Sequence, residues 1–230
     1  MIKIILIFSA FMGAVFVHEM AHVLAGLTLS WQCHHIIIGP IKVSHRDGSG
    51  WRISLIKSPY KWGGSVAITP KSPSMVNKSQ LIKVIGAGPS ISLLTGLLLF
   101  ISPFPNALAW LFIVFALITG LPYRRGNVYS DGGKIRQLLR NDETAEIELS
   151  IMRMGTQVFK DGNFANVSIE DIEVLMNAAD IRDRYRGTYY MWSHYKDLGQ
   201  EDEALRIKDQ LDELSVLLPI RLKKRLRKPS

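Results

Sequence analysis

Two things are scarce in this chain, and their scarcity is uneven. There is one cysteine, Cys33, so an intrachain disulfide framework is excluded and nothing points to an oxidising compartment. Acidic side chains are also few where apolar ones are dense: of 20 Asp and Glu, 17 lie from Asn141 onward. Charge of either sign is missing from Ile4–Val17 and again from Val23–Leu29. What fills those stretches is apolar. A hydrophobic share of 47% with 21% charged residues and a mean hydropathy of +0.12 does not suit an ordinary soluble domain unless the apolar residues are clustered, and they are.

Three segments have the composition of membrane spans, residues 4–29, 81–101 and 107–122. The expected fold is mainly α and integral to a membrane: a three-helix transmembrane core in residues 1–140, with a β-hairpin loop between the first two helices, and a soluble helical tail in residues 141–230. The start of the chain also has the look of a signal peptide, with Lys3 before an apolar run. Against cleavage, the apolar run resumes after His22 and continues to Leu29. Net charge is +8. Between Ser30 and Gln80 seven Lys or Arg stand against the single acid Asp47, a net of +6. A nucleic-acid surface is one reading of such a balance, but no nucleic-acid motif accompanies it, and none is expected to bind. A basic loop between spans marks the cytoplasmic side, which puts residues 30–80 and the tail in the cytoplasm.

Inside the first span stands His18-Glu19-Met20-Ala21-His22. On a helix, residues four apart share a face, so both imidazoles can reach one ion, and H-E-x-x-H is the spacing at which two histidines hold Zn²⁺ while the glutamate serves as base. At about 1.5 Å per residue His18 is roughly 21 Å from Ile4 and 17 Å from Leu29, within the membrane. Ionisable groups at that depth are costly and are functional candidates by default; the plainer reading is polar groups satisfied between packed helices.

The basic loop reads as β-structure. Residues 36–43 and 51–56 are β-branched-rich runs separated by the turn signal Asp47-Gly48-Ser49-Gly50, and residues 65–69 follow Gly63-Gly64. A hairpin at the membrane edge is expected, with Trp31, Trp51, Tyr60 and Trp62 at the interface. It is either a plain interfacial hairpin or a sheet edge that accepts an extended substrate. Cys33, His34 and His35 read as interfacial polar residues rather than a metal site, since they lack a full ligand set. In the second span, Gly86-Ala87-Gly88-Pro89 permits close helix approach and loosens the helix.

A catalytic zinc takes three protein ligands. After the third span, Asp131 is the best-placed third partner; the alternative is that Ser130 or Asp131 only caps the helix expected over residues 134–140. In the tail, Ser168 opens a helix reaching about Ala179, and residues 182–198 and 201–218 form a helical hairpin hinged at Gly199, with Tyr189, Trp192 and Tyr195 facing Ala204, Leu205, Ile207 and Leu211. That pair resembles half of a tetratricopeptide array, a unit that needs a neighbour or a protein partner to bury its face. Six basic residues in residues 221–228 suit anionic lipid.

His18-Glu19-Met20-Ala21-His22, Gly88-Pro89 and Asp131-Gly132-Gly133, in this order, resemble the site-2 protease group of intramembrane zinc metallopeptidases, the M50-type family. The resemblance covers roughly residues 4–139. It implies a Zn²⁺ held by His18, His22 and Asp131, Glu19 as catalytic base, membrane-protein substrates, and a multi-pass location in a bacterial plasma membrane. It also implies that Gly88, Pro89 and Ser92 help position substrate. Two residues depart from the family pattern: Ser92 replaces an asparagine three places after the proline, and Gly120-Leu121-Pro122 lacks an upstream asparagine. The rival expectation is a non-proteolytic membrane scaffold that keeps a residual metal site and acts through its tail.

Overall fold

The computed structural model describes residues 2–46, 50–57, 62–103, 106–125, 128–140 and 142–218. The basic segment 221–228, Tyr60 and most of the Asp47–Gly50 turn lie outside them. The chain divides into two compact units. One draws on Met1–Lys71, Asn77–Arg125 and Tyr129–Arg136, the other on Ser72–Val76, Gly126–Val128 and Gln137–Ser230.

The first unit begins with α1 (Ile2–Thr28). It is closed by Ser30, held in the left-handed region at φ 60°, with Ser30 N–H donating to Leu27 O at 3.0 Å and Trp31 N–H to Gly26 O at 2.9 Å. This paired closure satisfies the last carbonyls and turns the chain back on itself. Four strands follow, β1 (Gln32–Gly39), β2 (Ile41–Arg46), β3 (Gly50–Leu55) and β4 (Gly63–Thr69), all antiparallel in the order β3-β2-β1-β4.

This sheet differs from the expected edge hairpin in two ways. The run 36–43 is not one strand: Gly39, at φ +55°, and Pro40 fold it into the β1–β2 turn. The sheet also runs alongside α1 instead of stopping at its end. A Cβ on Gly26 would stand 3.0 Å from Ile68 Cγ1 in β4, and one on Gly39 would stand 3.7 Å from Met12 Cε. The contacts thus reach from Gly26 to Met12, a span of about 21 Å along the helix. Because α1 has glycine facing β4 and β1 turns at a glycine facing α1, the layers meet backbone to side chain. Trp31 is buried in that contact rather than interfacial, while Trp51 and Trp62 are exposed.

The helix α2 (Lys78–Phe100) is capped by Asn77, whose side chain accepts from Ser79 N–H at 2.9 Å and Gln80 N–H at 3.3 Å. Its partner α3 (Asn106–Gly120) packs closely where Gly96 faces the Ala109 carbonyl, with 3.0 Å to a would-be Cβ. Two stretches are long and apolar enough to cross a membrane, Leu6–Thr28 and Lys78–Phe100, at 23 residues each. With 15 residues, α3 is about 22 Å long, short of the ~30 Å hydrocarbon core. Past it come β5 (Arg124–Arg125), β6 (Val128–Tyr129) and α4 (Asp131–Arg140).

The second unit is helical: α5 (Glu143–Asp161), α6 (Ile169–Met176), α7 (Ile181–Asp197) and α8 (Glu201–Leu217). Ser168 caps α6 by accepting from Asp171 N–H at 3.2 Å, and Gly199, at φ +72°, makes the α7–α8 hinge. Their core joins Ile147, Met154, Ile172, Leu175, Met191 and Ile207. Leu205 is 64% exposed and Tyr189 also faces outward, so neither belongs to the hairpin packing expected of them. The core is completed by α5, which sequence reading had left without an element.

Candidate metal centre

One helix carries three of the four groups. His18 and His22 lie one turn apart on α1 and, with Glu19, are buried at 3%, 7% and 7% exposure. The fourth comes from 113 residues later. His18 Nε2 lies 3.0 Å from Asp131 Oδ2, His22 Nε2 lies 3.5 Å from the same oxygen, and the two Nε2 atoms are 3.2 Å apart. A tetrahedral zinc with bonds near 2.0–2.1 Å has ligand atoms about 3.3–3.4 Å from one another. The three donor atoms already stand at the corners of one face of that figure, so the residues fit zinc by both type and spacing.

The imidazoles are held from behind. His22 Nδ1 is 2.7 Å from Val84 O; a carbonyl only accepts, so Nδ1 carries the proton and Nε2 presents its lone pair to the site. Pro89 has no N–H for the carbonyl four residues earlier, and the α2 ladder loosens next to Val84. His18 Nδ1 is 3.1 Å from Ser92 Oγ, and Phe115 of α3 packs edge-on to the His18 ring with centroids 5.1 Å apart. Gly88 is the point of closest approach: a Cβ there would stand 2.6 Å from His22 Cε1 and 2.8 Å from His18 Cε1. Gly88 and Ser92 therefore meet the two imidazoles, while Pro89 faces Gly120. Ser92 is fully buried, and its hydroxyl meets a histidine.

Two residues to which the sequence gives no metal-site role stand beside the site. Gly64 of β4 lies against Glu19: a Cβ there would collide with Glu19 Oε1 and stand 2.8 Å from Val15 Cγ1. The outer edge of the sheet is thus at the level of the carboxylate. Gly63-Gly64 had been noted only as a strand boundary. Ser130 settles the capping question: its Oγ accepts from Gly133 N–H at 3.1 Å, which leaves the Asp131 carboxylate free to face the histidines. Elsewhere, His34 Nε2 is 2.8 Å from Thr69 Oγ1. Among the described residues the grouping with metal-ligand spacing is His18, His22 and Asp131.

Two buried histidines and a half-buried carboxylate next to a buried glutamate, with two of the surrounding helices long and apolar, point to a class: a metallopeptidase-type centre in an apolar helical unit. The model of peptidase family M50 matches residues 6–196, and the chain belongs to that family of membrane-associated metallopeptidases, which depends on zinc in general. No curated protein and no solved structure matches the chain.

Proposed function

We propose that the chain is an intramembrane zinc endopeptidase that hydrolyses peptide bonds in or near membrane-spanning segments of protein substrates. The observation that carries this reading is the 3.0–3.5 Å triangle of His18, His22 and Asp131 donor atoms, whose two histidines share a turn of α1 with Glu19. In this reading His18 and His22 are neutral ligands and Asp131 is an ionised one. Zinc held there supplies Lewis acidity, polarising a peptide carbonyl and acidifying water towards neutrality. Glu19 takes a proton from the attacking water and later delivers it to the leaving nitrogen. Its burial beside Gly64 keeps it on that side of the triangle and out of bulk solvent.

A spanning substrate has its carbonyls bonded within its own helix and must unwind before cleavage. The edge strand β4, whose Gly64 touches Glu19, suits an extended peptide added to the sheet. We place α1 and α2 across the bilayer, with α3 completing a third passage as far as the metal site. There its last residue, Gly120, faces Pro89, with 3.5 Å from a would-be Cβ to Pro89 Cβ. Irregular backbone after Gly120 is tolerated at depth where it lines a polar cavity. Residues 30–80 and the tail lie on the cytoplasmic side, and the helical tail accepts a protein partner.

The test is cleavage of a membrane-spanning substrate by purified protein with measured zinc content. Wild type cleaves, while chelation and Glu19→Gln abolish cleavage, the variant retaining its zinc. Full cleavage by Glu19→Gln overturns the reading. Zinc binding without any Glu19-dependent cleavage favours the scaffold reading, to which the engagement of Ser92 by His18 lends weight.

A further inference from the structure

His18 and His22 are mounted on one continuous helix, but Asp131 reaches them from the very start of α4, just past the paired strands β5 and β6, and something must fix where that helix begins. We propose that Ser130 is the positioning residue that sets the Asp131 carboxylate, and that the site's grip on zinc depends on its hydroxyl. The proposal rests on the zinc reading above and goes beyond it.

The Ser130 hydroxyl has one donor and two acceptor positions, and all are used. It donates to Leu121 O at 2.6 Å, accepts from Tyr123 N–H at 3.1 Å and accepts from Gly133 N–H at 3.1 Å. The first two partners belong to the exit from α3 and the third to the first turn of α4. The backbone adds Ser130 N–H to Tyr123 O at 3.0 Å and Lys134 N–H to Ser130 O at 3.0 Å. One side chain therefore ties the two ends of the 121–130 excursion together, and the next residue along is the ligand.

Gly132 presses the same closure home. A Cβ on it would overlap the Gly120 carbonyl oxygen and lie 3.0 Å from the Leu121 carbonyl carbon. Backbone thus meets backbone on one side of Asp131 while the hydroxyl clamps the other. Removing the hydroxyl leaves the Leu121 carbonyl and two N–H groups to find other partners, and the freed α4 terminus invites Asp131 to turn inward as the replacement cap. That motion takes the carboxylate away from the imidazoles.

The measurement is the zinc dissociation constant of the purified full chain, by competition with a chromophoric chelator, alongside thermal unfolding of the metal-free protein. Ser130→Ala is expected to raise the constant about 10- to 100-fold, the range seen when groups that orient metal ligands are lost, and Ser130→Thr to restore it. Excess zinc is expected to recover cleavage in Ser130→Ala but not in Glu19→Gln. An Ala variant that binds zinc as tightly as wild type, with only its metal-free unfolding temperature lowered, overturns the proposal, because Ser130 is then structural alone. If Ser130→Ala does not fold, Ser130→Asn still caps α4 but replaces the three-way hydroxyl; weaker zinc binding supports the proposal and unchanged binding overturns it. Wild type that binds no zinc would instead remove the underlying functional reading.

Discussion

The two units of this chain differ in what their outward faces carry. In the first, Leu97, Leu98, Ile101, Trp110 and Leu117 face outward, and the buried interior holds His18, Glu19, His22 and Ser92. In the second, Ile172, Leu175, Met191 and Ile207 are inside, and the outward faces of α5 to α8 carry most of the chain's acids. A surface is matched to its solvent, and the apolar exterior of the first unit is the kind suited to hydrocarbon while the charged exterior of the second is the kind suited to water. The difference teaches where to look for chemistry: a polar group buried in the first unit has no solvation reason to be there, whereas the half-buried ion pair of Arg153 in α5 with Asp171 in α6 in the second ties two helices together.

If the contrast holds, changes in one unit leave the other's observable untouched. The largest effect expected is from His22→Ala. It should release stoichiometric zinc and reduce cleavage to the chelated level, while the cooperative unfolding of the tail, followed by circular dichroism, stays in place; loss of the tail transition would break the contrast. Next is Leu175→Ala, in the core of the second unit, which should lower that unit's stability by about 2–5 kcal/mol with the zinc dissociation constant unchanged. A Ser92→Ala variant should weaken zinc binding about 10- to 100-fold through loss of the contact behind His18, measured by chelator competition; an unchanged constant would make Ser92 a packing residue. The smallest is Ser168→Ala, where loss of the α6 cap should cost about 0.5–2 kcal/mol, seen in denaturant unfolding with cleavage unaltered.

Legibility from sequence followed the range of the interaction. His18 and His22 could be read because a helix places residues four apart on one face without help from the rest of the fold. The caps at Ser168 and Gly199 were equally local. Asp131 could be nominated but not distinguished from a capping residue, because Ser130 and Asp131 both stand at the start of α4 and only the fold shows Ser130 Oγ taking Gly133 N–H while Asp131 faces the histidines. The depth of the sheet along α1 was not readable, since Gly39 and Gly64 find Met12 and Glu19 only through tertiary packing. Gly39-Pro40 did carry a turn signal within the run 36–43, and the β-branched residues around it masked it. Similarly, α5 had its cap at Asp142, its left-handed closure at Gly162 and apolar residues at 147, 151, 154 and 158, a pattern that was present and passed over.

The shortness of α3 has a consequence for the lipid. If α3 crosses the bilayer as proposed, a helix of about 22 Å in a hydrocarbon layer of ~30 Å leaves a shortfall that the bilayer meets by bending inward at the protein's rim. Headgroups and their water would then be drawn down on that side, shortening the path from the aqueous phase to the histidines. Under that proposal the thickness of the host membrane, a property of its lipids and not of this chain, would set how readily the proposed hydrolytic centre is supplied with water.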